Sequence, residues 1–215
     1  MDWTDNDGNN IYHFDIGAFN WHIGTWRQLM KVVPAVGLVR KYNCKSVVDI
    51  GCGAGDIKNV LSHNDAMPDL FCGVDISIDA KLDVLCDSTK LPIKRNSIDL
   101  VTSIDLLQNV PHYKRKLVLN EIDRITAPDG LVYLFFRTDN FETDFDNESH
   151  NIGGCNYLDI INYMRNFNYV TGFGVNSVPC DDKWESIFPY EFNRIFHSLK
   201  DFEYNKFLGM VMKKW

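Results

Sequence analysis

The stretch Val47-Val48-Asp49-Ile50-Gly51-Cys52-Gly53-Ala54-Gly55-Asp56 decides the fold. A β-branched run beginning at Lys45 closes on three glycines at alternate positions, and a helix is expected directly after them, over Asp56–His63. Glycines let a backbone turn sharply and pass close to a ligand. The start of the following helix offers unpaired N–H groups and the positive end of its dipole to an anionic group. Two other nucleotide loops fail here. A dinucleotide fingerprint, G-x-G-x-x-G, needs glycine where Asp56 stands, and a P-loop needs a Gly-Lys-Ser/Thr ending that is absent.

Outward from this loop, strands alternate with helices. Strands are expected at 45–50, 70–74, 81–85, 98–103, 131–136, 169–175 and 207–212. Helices are expected at 21–42, interrupted by Pro34, and at 56–63, 112–125 and 157–167. Residues 182–202 are aromatic-rich with helical spacing. Residues 1–20 read as an irregular or partly helical lead-in, Pro128-Asp129-Gly130 as a turn, and the segment from Arg137 to about Gly154 as a polar loop. Such alternation predicts an α/β fold, a doubly wound, mostly parallel sheet covered on both faces.

The chain has 215 residues, which suits one domain, and carries a net charge of −7. That total gives no basic footprint for nucleic acid, although a local patch can sit inside an acidic sum. The six cysteines form no C-x-x-C pair and the histidines show no H-E-x-x-H spacing, so no metal site is expected. Reduced, buried thiols are expected, as in a cytoplasmic protein. The acidic, polar N-terminus predicts no secretory signal, and the apolar run Val32–Val39 is too short to span a membrane. Asn147-Glu148-Ser149 is read as a chance glycosylation sequon.

Several further landmarks follow in order. Gly73-Val74-Asp75-Ile76 ends the second strand in an acid, which suits it to accept hydrogen bonds from ribose hydroxyls. Cys86-Asp87-Ser88 follows the third strand. Then come Leu91-Pro92-Ile93-Lys94-Arg95-Asn96-Ser97-Ile98-Asp99-Leu100-Val101 and Glu121-Ile122-Asp123-Arg124-Ile125, followed by Pro128-Asp129-Gly130. Together with the glycine loop, over residues 45–136, this order resembles the class I, Rossmann-like S-adenosylmethionine-dependent methyltransferases, and is methyltransferase type 11-like. Asp129 replaces the first of that family's two usual glycines. The resemblance implies a seven-stranded sheet with an antiparallel last strand. It implies one domain over 1–215: an N-terminal lid or helix (1–42), a cofactor core (45–136) and a substrate-side half (137–215). It also implies S-adenosylmethionine as cofactor, S-adenosylhomocysteine as product, and cofactor contacts from Asp49, Gly51, Cys52, Gly53, Gly55, Asp75, Ile76, Asp87, Ser88 and Ser103. Asp75 has a bland alternative as a helix cap, and Asp87 as a solvated loop acid. Asp99 is read as structural, capping nearby backbone.

Methyl transfer from a sulfonium is an in-line displacement in which the protein positions the acceptor and, where needed, supplies a base. The acceptor is expected beyond the carboxyl end of the fourth strand. His112 and Asp105 are the catalytic candidates there. His112 is the natural base by its ordinary pKa, with a capping or surface role as the alternative. Gln108, Asn109 and Tyr113 are the substrate candidates from the same stretch, and His22 and Arg27 those from the lead-in. Trp184 and Tyr190 are placed either at the pocket mouth or in packing. A small-molecule acceptor is the first reading, and no membrane partner is expected. A nucleic-acid acceptor such as an RNA cap is the second, with Lys31, Arg40, Lys41, Lys45, Lys58, Lys94 and Arg95 as its patch. The third is a Rossmann-like module that binds a partner protein without catalysis.

Overall fold

A computed structural model describes residues 2–4, 10–13, 26–139, 153–175, 195–196 and 207–215. The element order is β1 (Asp2–Thr4), β2 (Asn10–His13), α1 (Trp26–Tyr42), β3 (Ser46–Ile50), α2 (Asp56–His63), β4 (Leu70–Asp75), β5 (Val84–Leu85), β6 (Ile98–Ile104), α3 (His112–Ile125), β7 (Thr126–Arg137), α4 (Tyr157–Tyr163), β8 (Phe167–Val175), β9 (Ile195–Phe196) and β10 (Phe207–Lys214). The main sheet runs β5-β4-β3-β6-β7-β10-β8-β9. The seven expected strands are all present. β10, the last, lies antiparallel between β7 and β8, and the others are parallel. Two-residue β9 adds an eighth strand at the β8 edge.

Two apolar layers sandwich this sheet. On one face Val47, Leu100, Leu131, Tyr133 and Phe135 meet α1 and α2. On the other, Val48, Ile50, Val101, Val132 and Leu134 meet α3 and α4. The alternation along each strand is the period-two pattern of a sheet buried on both sides. In α2 the buried residues are Ile57, Val60 and Leu61, at i, i+3 and i+4. Each such burial stabilises by roughly 1.5–3 kcal/mol. In α3 they include Val118, Leu119, Ile122 and Ile125.

Several expectations change. The lead-in carries a short antiparallel pair, Asp2 opposite His13, in place of irregular or helical chain. Pro34 does not interrupt α1. The burial of Val32, Val33, Ala35, Val36 and Leu38 against the sheet outweighs the one hydrogen bond that proline removes. The third strand shrinks to Val84–Leu85, because Lys81 and Asp83 hydrogen-bond to Gly53 and Gly73 instead. β7 begins early, at Thr126, and Pro128-Asp129-Gly130 becomes a bulge within it. α4 stops at Tyr163, since Phe167 is drawn into register with Lys214. Ile195–Phe196 pair with β8 and so are strand where helical spacing was read. Asp99 does cap backbone: its Oδ2 accepts from the N–H groups of Lys45 (2.8 Å) and Ser46 (2.9 Å).

The β7 bulge has a measurable requirement. A Cβ on Gly130 would stand 2.8 Å from the Ala127 carbonyl oxygen and 3.0 Å from that of Ile98. Backbone cannot yield cheaply, so Gly130→Ala should cost about 1–3 kcal/mol in urea unfolding and leave cofactor affinity unchanged. An unchanged urea midpoint would contradict this packing.

β4 and β5 are joined by only eight residues, Ile76 to Asp83, with no helix between them. Parallel neighbours usually need a longer crossover. Here the connection lies along the glycine loop: the Lys81 N–H donates to the Gly53 carbonyl and the Asp83 N–H to that of Gly73, both at 2.8 Å. Among the described residues no helix is long and apolar enough to cross a membrane.

Candidate active site

The site is assembled at the carboxyl edge of β3, β4, β5 and β6. β3 ends in the glycine loop, whose three glycines all take positive φ: 75° at Gly51, 47° at Gly53 and 78° at Gly55. Residues with side chains rarely adopt such values. The N–H groups of Gly51 and Cys52 donate to the Val74 carbonyl at 2.8 and 3.1 Å, which ties the turn to β4. Gly55 caps α2 in the left-handed conformation without a side-chain cap.

Asp75, at the end of β4, organises the loop. One of its carboxylate oxygens accepts from the Gly53 N–H and the other from the Ser77 N–H, each at 2.9 Å. Each oxygen retains accepting capacity. Ile76, next along, is 73% exposed. Asp87 follows β5, and its Oδ1 accepts from both the N–H and the hydroxyl of Thr89. Those two bonds hold its carboxyl below the usual range. Ser88 is half-buried beside it.

Asp49 is the buried acid under the loop, and the Thr102 hydroxyl donates to its Oδ1 at 2.8 Å. Burial pushes its carboxyl up to about 7, against the lowering effect of Thr102, with Asp56 and Asp75 adding repulsion. Burial, with repulsion from Asp49 and Asp75, likewise pushes the Cys52 thiol up to about 12.

Two features bear on whether S-adenosylmethionine fits. A Cβ built on Gly53 meets nothing within 4 Å, so the backbone there faces open space. Ser103, at the end of β6, is buried with its hydroxyl lacking any hydrogen-bond partner. An open cradle and an orphaned polar atom at the same edge of the sheet suit a bound polar ligand.

Beyond β6 the acceptor candidates are brought together around Asp105. This residue has φ 54°, uncommon without glycine, and its N–H donates to the Phe135 carbonyl at 2.8 Å. Its carboxylate is ion-paired with the Lys31 ammonium and accepts from Gln108 Nε2 at 2.9 Å. Asn109 Nδ2 donates to the Asp105 carbonyl at 2.6 Å. Lys31 is buried and stands 5.4 Å from the centre of the Phe135 ring.

Lys31 was expected in a surface patch for RNA, and its burial removes it from any such patch. Its importance here escaped sequence reading because its partner lies 74 positions away. The available signal was a lone cation immediately before the apolar run Val32–Val39.

His112 is not part of this cluster. It is exposed and lines a separate cavity with Arg115 and Asp159, and among the described residues no hydrogen bond joins it to Asp105. Tyr113 is 75% exposed on the first turn of α3. His22, Trp184 and Tyr190 lie outside the described residues, as does the side chain of Arg27. Also among the described residues, no group of three or more His, Cys, Asp or Glu is placed to hold a metal ion.

This strand order and this loop define a Rossmann-like methyltransferase fold. Residues 48–134 match the family model described as a methyltransferase domain. Solved structures agree in fold. A chain of a Haloferax volcanii complex that contains the Trm112 methyltransferase activator is 18% identical, covering 79% of this chain and 82% of that one, with a TM-score of 0.58. A SAM-dependent methyltransferase from Archaeoglobus fulgidus is 15% identical over 90% of this chain and 100% of that one, with a TM-score of 0.55. One from Thermotoga maritima is 14% identical over 90% and 96%, with a TM-score of 0.58. No curated protein matches the chain. Residues 48–134 are thus similar to a methyltransferase domain, in a chain whose fold is shared by solved SAM-dependent methyltransferases.

Proposed function

We propose that this chain, acting as one domain, transfers the methyl group of S-adenosylmethionine to a small-molecule acceptor held beyond β6. The observation that carries the choice of acceptor is the scatter of the basic side chains. Lys31 is buried on Asp105, and Lys58 is paired with Asp83 at 2.9 Å. Lys45 and Arg95 precede the first residues of β3 and β6, at the sheet edge opposite the glycine loop. A continuous cationic path toward the site, as a nucleic-acid strand needs, is not assembled from them.

Bound S-adenosylmethionine supplies an activated methyl on a sulfonium. The chain's own residues do the rest. Gly51, Gly53 and Gly55 let the backbone approach the cofactor, with Cys52 between them. Asp75 accepts from the ribose hydroxyls, Ile76 covers the base, and Asp87 and Ser88 read its edge. Asp49 and Ser103 face the amino-acid end. Asp105, held by Lys31 and Gln108, orients the acceptor, with Asn109 fixing its backbone. A carboxylate so engaged serves better as a fixed hydrogen-bond acceptor than as a strong base. Where a catalytic base is needed, His112 is the candidate by its side-chain chemistry alone.

Cytoplasmic residence accords with the thiols. The five described cysteines are all free, and burial pushes Cys44 and Cys155 up to about 12 and about 11, so both stay protonated and inert.

The test is calorimetric titration with S-adenosylmethionine, S-adenosylhomocysteine and, as control, NAD, followed by a labelled-methyl screen of small acceptors and of capped RNA. Binding of the first two and transfer to a small molecule is the expected result. Salt-sensitive transfer to RNA would overturn the acceptor assignment, and no binding by folded protein would leave a partner-binding module. Asp75→Ala should weaken S-adenosylhomocysteine binding at least tenfold, through loss of both the ribose contact and the Gly53 anchor, as read in the same titration.

A further inference from the structure

A cavity opens between α3 and α4, on the face of the sheet away from α1. It holds about 280 Å³. Its polarity is ordered from inside to outside. Arg115, only 9% exposed, lies within, while Asp139 and Asp159 are exposed. Buried Leu119 and Ile160 supply apolar wall between them.

The state of Arg115 points to a ligand. Its Nε donates to the Val110 carbonyl at 3.1 Å, and its two terminal nitrogens to those of Gly154 and Gly153 at 2.7 Å each. A guanidinium carries five N–H groups, so two remain. Among the described residues no carboxylate pairs with it. Burying a full charge against neutral carbonyls alone is costly, and a neutral donor would tie the Gly153–Gly154 segment to α3 more cheaply. The start of α3 lies on the same cavity through His112. Its cap, Pro111, provides no side-chain bond, so a partial positive charge adds to that of Arg115.

A simple anion would satisfy the floor and be repelled at the rim, and a simple cation the reverse. We propose that this cavity binds a small amino-acid-like zwitterion, with its carboxylate on Arg115, its ammonium toward Asp139 and Asp159, and its apolar body along Leu119 and Ile160. Asp139 already accepts from Asn156 Nδ2 at 3.1 Å, which leaves its other oxygen for the ammonium. The site stands on these residues alone and does not depend on the methyl-transfer reading.

The experiment titrates the full chain with L-leucine, 3-methylbutylamine and 4-methylpentanoate, following binding by calorimetry and by ligand-observed NMR. L-Leucine should bind at least about tenfold more tightly than either half-molecule. Arg115→Met should abolish that binding. Should this variant fail to fold, Asp159→Asn, on an exposed side chain, decides: it should weaken L-leucine about tenfold while leaving 4-methylpentanoate unweakened. No saturable binding of L-leucine, or amine and zwitterion binding equally, would overturn the proposal. S-adenosylhomocysteine titrated into the same samples reports the cofactor site separately, so failure of one reading is distinguishable from failure of the other.

Discussion

Gly53→Val should remove cofactor binding from a protein that still folds. The native residue holds φ 47° over open space. A valine there meets no existing atom with its Cβ, so the fold is not blocked by collision. It does force a β-branched residue into the left-handed region, at about 1–3 kcal/mol, and fills the space a cofactor needs. S-Adenosylhomocysteine affinity should fall on the order of 100-fold or more, with the circular dichroism spectrum retained and the thermal midpoint lowered by a few degrees. Affinity within a few-fold of the native value would mean that the glycine loop does not line the cofactor site.

Asp49→Asn should make the protein more stable above neutral pH. In the folded chain this carboxyl titrates at about 7, whereas an unfolded aspartate titrates near its ordinary value, about 3.9. Between about pH 4 and pH 7 the folded state therefore binds more protons than the unfolded one. Stability from this group falls as pH rises through that window and is level above it. Asparagine carries no such charge. At pH 8 the variant should gain on the order of 4 kcal/mol, a rise in Tm of roughly 8–16 °C, and the two proteins should converge near pH 4. Cofactor affinity should move the other way, weakening about tenfold where a cationic amino group loses its buried counter-charge. Parallel stability profiles for the two proteins would show that Asp49 is not held uncharged by the fold.

The alternation of the chain made the core legible. Residues 56–63 and 112–125 form their expected helices to the residue, because their apolar spacing faces a sheet and their ends are marked by Gly55 and Pro111. The glycine loop was readable because three positive-φ positions in sequence admit few other residues. What escaped reading depends on partners distant in sequence. Lys31 looks like a surface lysine until α1 lays it on Asp105. The β1–β2 pair has strands of only three and four residues, too short for an alternating pattern to show although Trp3, Thr4, Ile11 and Tyr12 favour strand. The register of β10 with β8, rather than local propensity, ends α4 early. His112 was singled out for its chemistry, and chemistry carries no information about which side of the Leu107–Asn109 turn a ring will occupy.

The eight-residue connection after Asp75 bears on how the site opens. Besides Lys81 on Gly53, it is held by a reciprocal pair, with the Gly73 N–H donating to Asp83 Oδ2 and the Asp83 N–H to the Gly73 carbonyl, both at 2.8 Å. The Lys58–Asp83 ion pair adds a link from α2. Loop and connection are thus one cooperative unit, and the amide protons of Gly53, Gly73 and Asp83 should exchange with solvent together rather than one by one. The same coupling makes this segment a poor place for new termini or an inserted peptide: lengthening it would lift Lys81 off Gly53 and loosen the cradle along with the edge of the sheet.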